Sequence, residues 1–451
     1  MAMNFRNKGK KWDGSRKLFN IQTRRFPVGL LKMVTNLLQN YGFSVHYDNR
    51  RAYSNAECEF DMANFEEREY QTRVVYSSVT NGNGIVKAAT GSGKTTMAAR
   101  TIGAINKPAI FIVHTRDLLY QTIDAFSRMF PGEEIGQIGD GEFKYRDITV
   151  ATMQSLAILG DVKYESYKYD EDSQTIKESK KVYEREELKE QFQEYRKRVG
   201  IVMFDEVQLI CSQTAYSVRF LFDYANYAFG YSASPWRDDG SDLMIEAAFG
   251  ERICDVTASE LIDLGYLVRP HIEIHKVNDH IWRGKKYSEI YDSAIVQNPM
   301  RNIQVANDAY EQYKMGRNTL VLINYIAHGE TLEAILQDMG APAVFISGKS
   351  RMKHRKQVIQ DMRDGKAPIV VASTIADVGL DVPRLQTVVE AGAGKSSVTA
   401  LQRLGRVMRP FEGKDACYFI TYRDNAPFLS TQVDNKIRIW STEPNFIIEQ
   451  R

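Results

Sequence analysis

Three segments of this 451-residue chain carry residue types at spacings that suit phosphate chemistry. Ala88-Ala89-Thr90-Gly91-Ser92-Gly93-Lys94-Thr95 is a relaxed P-loop, with Ala88 where the strict pattern has glycine. Gly91 and Gly93 free the backbone N–H groups around Thr90, Ser92 and Thr96 to wrap phosphates, and a helix starting beyond them adds its N-terminal dipole. Lys94 suits the β- and γ-phosphates and Thr95 a Mg²⁺ ion. Ile201-Val202-Met203-Phe204-Asp205-Glu206 delivers two carboxylates from the end of an apolar run. Asp205 suits Mg²⁺ through water, and Glu206 suits polarisation of an attacking water as general base. An acidic pair at a strand end also caps helices, but the P-loop upstream favours the catalytic role. In Gln402-Arg403-Leu404-Gly405-Arg406-Val407-Met408-Arg409, Arg406 and Arg409 lie one helical turn apart on one face. Guanidinium groups so placed neutralise a γ-phosphate in the transition state, typically for ~10³–10⁵ in rate. ATP with Mg²⁺ is the cofactor set these residues require. The run Ala391–Ser396 imitates a second P-loop without a following helix start and reads as a decoy.

These residues need a scaffold of parallel strands. Ile85–Ala89, Ala109–Val113, Ile148–Ala151, Ile201–Phe204 and Phe229–Ser232 are short apolar runs of buried-strand length. A second set follows at Thr319–Ile323, Ala343–Ile346, Ile369–Ala372, Val388–Glu390 and Ala416–Thr421. Two consecutive α/β sheets are the expected architecture. The formal charge of +2 excludes a uniformly basic coat, yet residues 1–60 hold 11 Lys+Arg against 4 Asp+Glu. Four scattered cysteines give neither a disulfide framework nor a structural zinc site, and His271, His275 and His280 read as ordinary strand histidines. With no apolar run of membrane length and no secretion signal, a soluble protein of a cytoplasm-like interior is expected. Between Gly160 and Arg198, 21 of 39 residues are charged. There a helix is expected over Glu184–Arg198, and a hairpin turning at Asp170–Ser173 as a surface insertion or a strand-separating wedge.

In order along the chain, these motifs resemble the superfamily two helicases, motors with two tandem RecA-like lobes. Phe65–Gln71 resembles the adenine-reading element, which assigns Arg68 and Gln71 to the base. Ile112–Arg116, Val150–Gln154, Leu322–Asn324 and Ser373–Asp381 resemble strand-gripping and nucleotide motifs. The resemblance implies that Thr115, Arg116, Thr152, Asn324, Gly348 and Thr374 hold the phosphates of one strand. It places Gly379 and Asp381 near the nucleotide, Gln402 with the arginines, and Gln208, Ser232 and Ser234 in coupling. Gln208 stands where relatives usually carry histidine, and Ser234 where they carry threonine. Lys11-Trp12-Asp13-Gly14, Leu18-Phe19, Phe26–Leu30, Asn40–Phe43, Gly284–Tyr287 with Arg301-Asn302, and Trp236–Gly240 further resemble the UvsW-like phage branch-migration helicases, with a more distant likeness to the XPB group.

That likeness implies a basic N-terminal α/β module (1–60) contacting DNA through Lys11, Trp12, Arg16, Lys17, Arg24 and Arg25. Lobe 1 is expected over 61–256, a connection over 257–300, and lobe 2 with a C-terminal extension over 301–451. It implies an ATP-dependent DNA helicase, tracking three-prime to five-prime as a monomer. Branched and single-stranded DNA would be its partners, with RNA in R-loops, and host cytoplasm its location. The expected task is branch migration of forks, R-loops and Holliday junctions in phage recombination, replication or repair. Three alternatives stay open: a restriction-type translocase subunit, an RNA-remodelling helicase, and a nucleotide-gated clamp that binds without translocating.

Overall fold

The computed structural model describes residues 6–7, 10–11, 18–64, 66–162, 186–236, 242–277, 282–373, 382–392 and 403–451. The chain divides into two compact units. The first comprises Met1–Val86, Met97–Tyr231 and Pro235–Cys254; the second comprises Lys87–Thr96, Ser232–Ser234 and Asp255–Arg451.

Short paired strands β1 (Arg6–Asn7) and β2 (Lys10–Lys11) open the chain. The strands β3 (Asn83–Ala88), β4 (Ala109–Val113), β5 (Gly136–Gly139), β6 (Glu142–Lys144), β7 (Ile148–Thr152), β8 (Ile201–Asp205), β9 (Tyr227–Ser232) and β10 (Arg252–Val256) form one sheet, ordered β10-β3-β9-β8-β4-β7-β5-β6. β4 and β7 are buried along their whole length, as expected for strands covered on both faces. β4, β5, β7, β8 and β9 pair in parallel, whereas β6 runs antiparallel to β5. The two residues joining it to β5, Asp140 and Gly141, both have positive φ (55° and 84°), which suits a tight hairpin. Five strands of this sheet lie where the apolar runs predicted; β5, β6 and β10 were not predicted, because glycine and charge interrupt their patterns.

The helices that accompany this sheet include α2 (Glu69–Asn81), α3 (Lys94–Ile105), α4 (Arg116–Met129), α5 (Met153–Leu159) and α6 (Glu186–Arg198), preceded by α1 (Leu31–Asn40). In α6 the i, i+3 pair Phe192 and Tyr195 is buried, and Phe192 meets Phe222 edge-on at 6.0 Å. The predicted helix therefore docks by its aromatic stripe while its charges face solvent. The hairpin expected near 164–180 lies outside the described residues. Residues 43–64 carry no regular secondary structure and are tied to the first unit by Ser54 N to Tyr224 O, Cys58 N to Asn106 O and Ala63 N to Met129 O. Helix α1 keeps Leu31, Met33, Leu37 and Leu38 exposed. It is anchored through Gly29, where a Cβ would fall 2.1 Å from the Glu246 carbonyl oxygen, so only glycine permits that approach.

The second sheet comprises β11 (Arg269–Lys276), β12 (Thr319–Ile323), β13 (Ala343–Ile346), β14 (Ile369–Ser373), β15 (Thr387–Glu390), β16 (Ala416–Arg423) and β17 (Ile447–Gln450), ordered β13-β14-β12-β15-β16-β11-β17 and parallel throughout. β11 falls within the stretch expected to connect the lobes and pairs with both β16 and β17. Its polar residues hid it from a search for apolar runs. They are partnered: His271 stacks on Tyr418, and His275 Nδ1 and Nε2 meet Asp308 (2.9 Å) and Glu273 (3.1 Å). Those hydrogen bonds, Asp308 first, raise the His275 imidazolium to about 9 against the cost of burial. A raised folded-state pKa contributes stability that is complete below the ordinary histidine value and disappears as pH rises through about 9. The melting-temperature gap between the native protein and His275→Gln should therefore shrink steadily from pH 6.5 to 9.5; a gap independent of pH would contradict this ion pair.

Candidate active site

The P-loop is shaped by its glycines. β3 ends at Ala88, Ala89 N donates to Val256 O (2.9 Å), and Ser92 N closes a turn onto Ala89 O (3.1 Å). Gly91 and Gly93 adopt φ of +89° and +82°, a region that a side chain would strain. Lys94 is the first residue of α3 and donates through Nζ to Ala88 O at 3.4 Å, folding the ammonium back across the loop. Thr95 and Thr96 follow in the first turn, whose axis is fixed by buried Met97, Ala98 and Ala99. In the same unit, residues 403–407 are helical, and a Cβ at Gly405 would lie 2.3 Å from Thr90 Cβ, so that helix approaches Thr90 closely because it has glycine there. Arg403 is spent on a buried ion pair with Glu390 (2.8 Å), whereas Arg406 and Arg409 are partly exposed. Ser234 N donates to Ser232 Oγ at 2.9 Å, and both serines are buried.

In the first unit the carboxylates stand at the end of β8. Glu206 takes φ 53°, ψ 60°, a left-handed conformation that costs a non-glycine residue about 1–3 kcal/mol and is kept where surroundings enforce it. Its Oε2 accepts from Gln208 Nε2 at 2.7 Å. Gln208, the departure from the family pattern noted in the sequence, thus hydrogen-bonds the carboxylate. The β4–β8 register pairs Ile112 with Phe204, and just beyond these strand ends His114 lies near enough to Glu206 to feel its charge. Burial lowers the His114 pKa, opposed by the charge of Glu206, and keeps the imidazole neutral. His114 was not selected from the sequence; only the register of strands 92 residues apart reveals it.

Expected strand-gripping residues form a row on the neighbouring strands. Thr115 caps α4 by accepting from Leu118 N (3.3 Å), and Thr152 caps α5 by accepting from Ser155 N (3.4 Å). Thr152 also donates to Ser155 Oγ and is 5% exposed, so its hydroxyl is already engaged. What these two positions present outward is a pair of helix N-termini, whose N–H groups favour anions. The pairing of Val113 with Thr152 sets them side by side. Arg116 Nε lies 3.0 Å from Asp140 Oδ1. Arg68 and Gln71 both donate to Tyr70 OH, at 3.2 and 3.4 Å, as α2 begins.

In the second unit Asn324 donates to Tyr291 OH (2.9 Å). Gly348 is exposed in a turn pinned by Ser347 N to Ser350 Oγ (3.0 Å) and Lys349 N to Ser347 Oγ (3.3 Å). Beyond it, Lys353, His354 and Arg355 occupy the first turn of helix Met352–Arg363, with no acid there. Cations at a helix N-terminus oppose its dipole, so helix stability does not explain them. Arg24 and Arg25 are exposed in the turn closed by Asn20 and Arg25. The side chains of Lys11, Trp12, Arg16 and Lys17, and residues Thr374, Gly379, Asp381 and Gln402, lie outside the described residues.

Comparison with known proteins gives two family matches along the chain. The family described as type III restriction enzyme, res subunit, matches residues 64–236, and the helicase conserved C-terminal domain matches residues 301–410. Putative helicase 22 of Sulfolobus islandicus filamentous virus (isolate Iceland/Hveragerdi) is 28% identical over 86% of this chain and 70% of its own length. The DNA 3'-5' translocase XPB2 of Sulfurisphaera tokodaii is 24% identical over 76% of this chain and 79% of its own. The ATP-dependent DNA helicase uvsW of Enterobacteria phage T4 is 24% identical over 89% and 80%, respectively.

Proposed function

Because this chain belongs to the superfamily two helicases and is an ATP-dependent DNA helicase of the UvsW/XPB type, we propose that it drives branch migration of forked, R-loop and Holliday-junction DNA. Supporting this reading is the pair of helix N-termini at Thr115 and Thr152, side by side at adjacent strand ends. Such termini contact phosphates and ignore base identity, as a motor that moves through any sequence requires.

In this proposal Lys94 binds the β- and γ-phosphates, with the loop from Thr90 to Thr96 wrapped around them. Thr95 and Asp205 are hard oxygen donors suited to Mg²⁺, which when bound neutralises the phosphate oxygens. Glu206, oriented by Gln208, orients and deprotonates water; Arg406 and Arg409 stabilise charge on the transferred phosphoryl group. Grouping of Lys87–Thr96 with the arginine segment in one compact unit supports that assignment. Arg68 and Gln71 serve the base, Ser232 and Ser234 coupling. Arg116, Asn324, Gly348 and the cations after it hold the strand, with Arg24 and Arg25 of the module 1–60 on the branched substrate. The limits 61–256 and 301–451 remain the proposed lobes.

ATP turnover and strand displacement, measured on single-stranded DNA, forks, Holliday junctions, R-loops and single-stranded RNA, test this. Branched DNA should stimulate turnover most and be displaced, with affinity falling steeply as salt rises. Stronger stimulation by RNA would favour an RNA-remodelling enzyme. Translocation along duplex without branch migration would favour a restriction-type translocase, and ATP-dependent binding without displacement a clamp.

A further inference from the structure

Lys414 has no role in the site described so far, yet its surroundings are unlike those of any other lysine among the described residues. It is 5% exposed, and its Nζ reaches four backbone carbonyls: Leu385 (2.6 Å), Val407 (2.6 Å), Arg409 (2.8 Å) and Pro383 (3.1 Å). An ammonium has three protons, so four acceptors converge on one cation and at least one hydrogen bond is shared. Those acceptors come from two segments. Pro383 and Leu385 follow directly on the stretch 373–381, and Val407 and Arg409 flank the exit of the helical residues 403–407. The last carbonyls of a helix lack partners within it, and a cation there is favoured by the dipole. Met408 O is held separately by Val268 N (2.8 Å), so the backbone on both sides of Arg409 is fixed.

We propose that Lys414 is a positioning residue for ATP hydrolysis, clamping the backbone of Arg406–Arg409 to the segment after residue 381 so that both arginines keep their aim. This rests on the assignment of Arg406 and Arg409 to the transferred phosphate. Replacing Lys414 would leave four carbonyls converging on a site with no donor, so the segments separate before the sheet is disturbed. Burial lowers the Lys414 pKa to about 8, with the Cys417 thiol opposing that shift and Arg409 adding to it; the clamp therefore weakens as pH rises through that value.

Lys414→Met, Lys414→Arg, Arg406→Ala and Arg409→Ala, each as the full chain, are compared in DNA-stimulated ATP turnover. Lys414→Met should lower kcat at least 30-fold, change KM for ATP less than threefold and leave nucleotide-free binding of single-stranded DNA unaltered, with Lys414→Arg recovering part of kcat. Equal loss in kcat, KM and DNA binding would mean a merely structural lysine and overturn the proposal. Near-normal kcat in Lys414→Met beside impaired arginine variants overturns it as well, whereas normal kcat in both arginine variants removes the assignment on which it rests. Should Lys414→Met fail to fold, the pH profile decides: native kcat should fall as pH rises through about 8, and that of Lys414→Arg should not. Coincident profiles would overturn the clamp.

Discussion

Lys94→Ala should reduce ATP turnover by at least about 10²–10³-fold, the usual cost of removing one preorganised donor from a developing phosphate charge. Nothing comparable is expected in the fold. Lys94 begins α3, where alanine is the better helix former, and its hydrogen bond is a long one to Ala88 O. Binding of branched DNA should remain within about twofold, because the proposed strand contacts are helix N-termini and cations on other elements. Turnover and fluorescence-detected DNA binding measured on the same preparation separate the two effects. Near-native turnover would remove the P-loop from the mechanism; joint loss of turnover and binding would indicate misfolding.

Asp424→Ala should produce the largest loss of stability in the second unit. Arg301 is 1% exposed and Asp424 4%; Nε and Nη2 of Arg301 donate to the two carboxylate oxygens at 2.7 and 3.2 Å, while Nη1 donates to Ala391 O at 2.8 Å. The guanidinium also lies 5.0 Å from the Tyr422 ring centre. Removing the carboxylate strands a buried cation, at a cost of about 3–5 kcal/mol. For a unit of this size that corresponds to a fall of roughly 10 °C in its melting transition. Replacing both partners, as Arg301→Met with Asp424→Leu, should restore much of the loss, since an apolar pair needs no compensation. A single Asp424→Ala variant melting within about 2 °C of the native protein would show that the pair is not desolvated as its burial indicates.

The sequence showed Arg301 as one residue of a resemblance and gave no sign that it is buried. Its carboxylate lies 123 residues away, and neither the helix bearing the arginine nor the strand end bearing Asp424 carries a periodicity that announces the pairing. Glu390 is similar: it ends an apolar run, yet it joins Arg403, Lys436 and Thr421 in a buried cluster. Burial disfavours its charge, but the two cations prevail and hold its pKa below the usual range. Arg403 belongs to the same run as Arg406 and Arg409. By spacing alone all three are equivalent cations, and only packing shows that Arg403 is buried in this cluster while Arg406 and Arg409 are partly exposed.

What the sequence determined by itself was local. The apolar runs specified the buried parallel strands, since a strand covered on both faces has no polar position to spare. The glycines of the P-loop specified its turn, since left-handed backbone excludes most other residues. What only the tertiary structure decided was which distant groups meet. Strand register brings His114 near Glu206, chain crossings bring four carbonyls to Lys414, and hidden partners make a polar strand of β11. Those outcomes depend on sheet order and burial, and a chain read in one dimension carries neither.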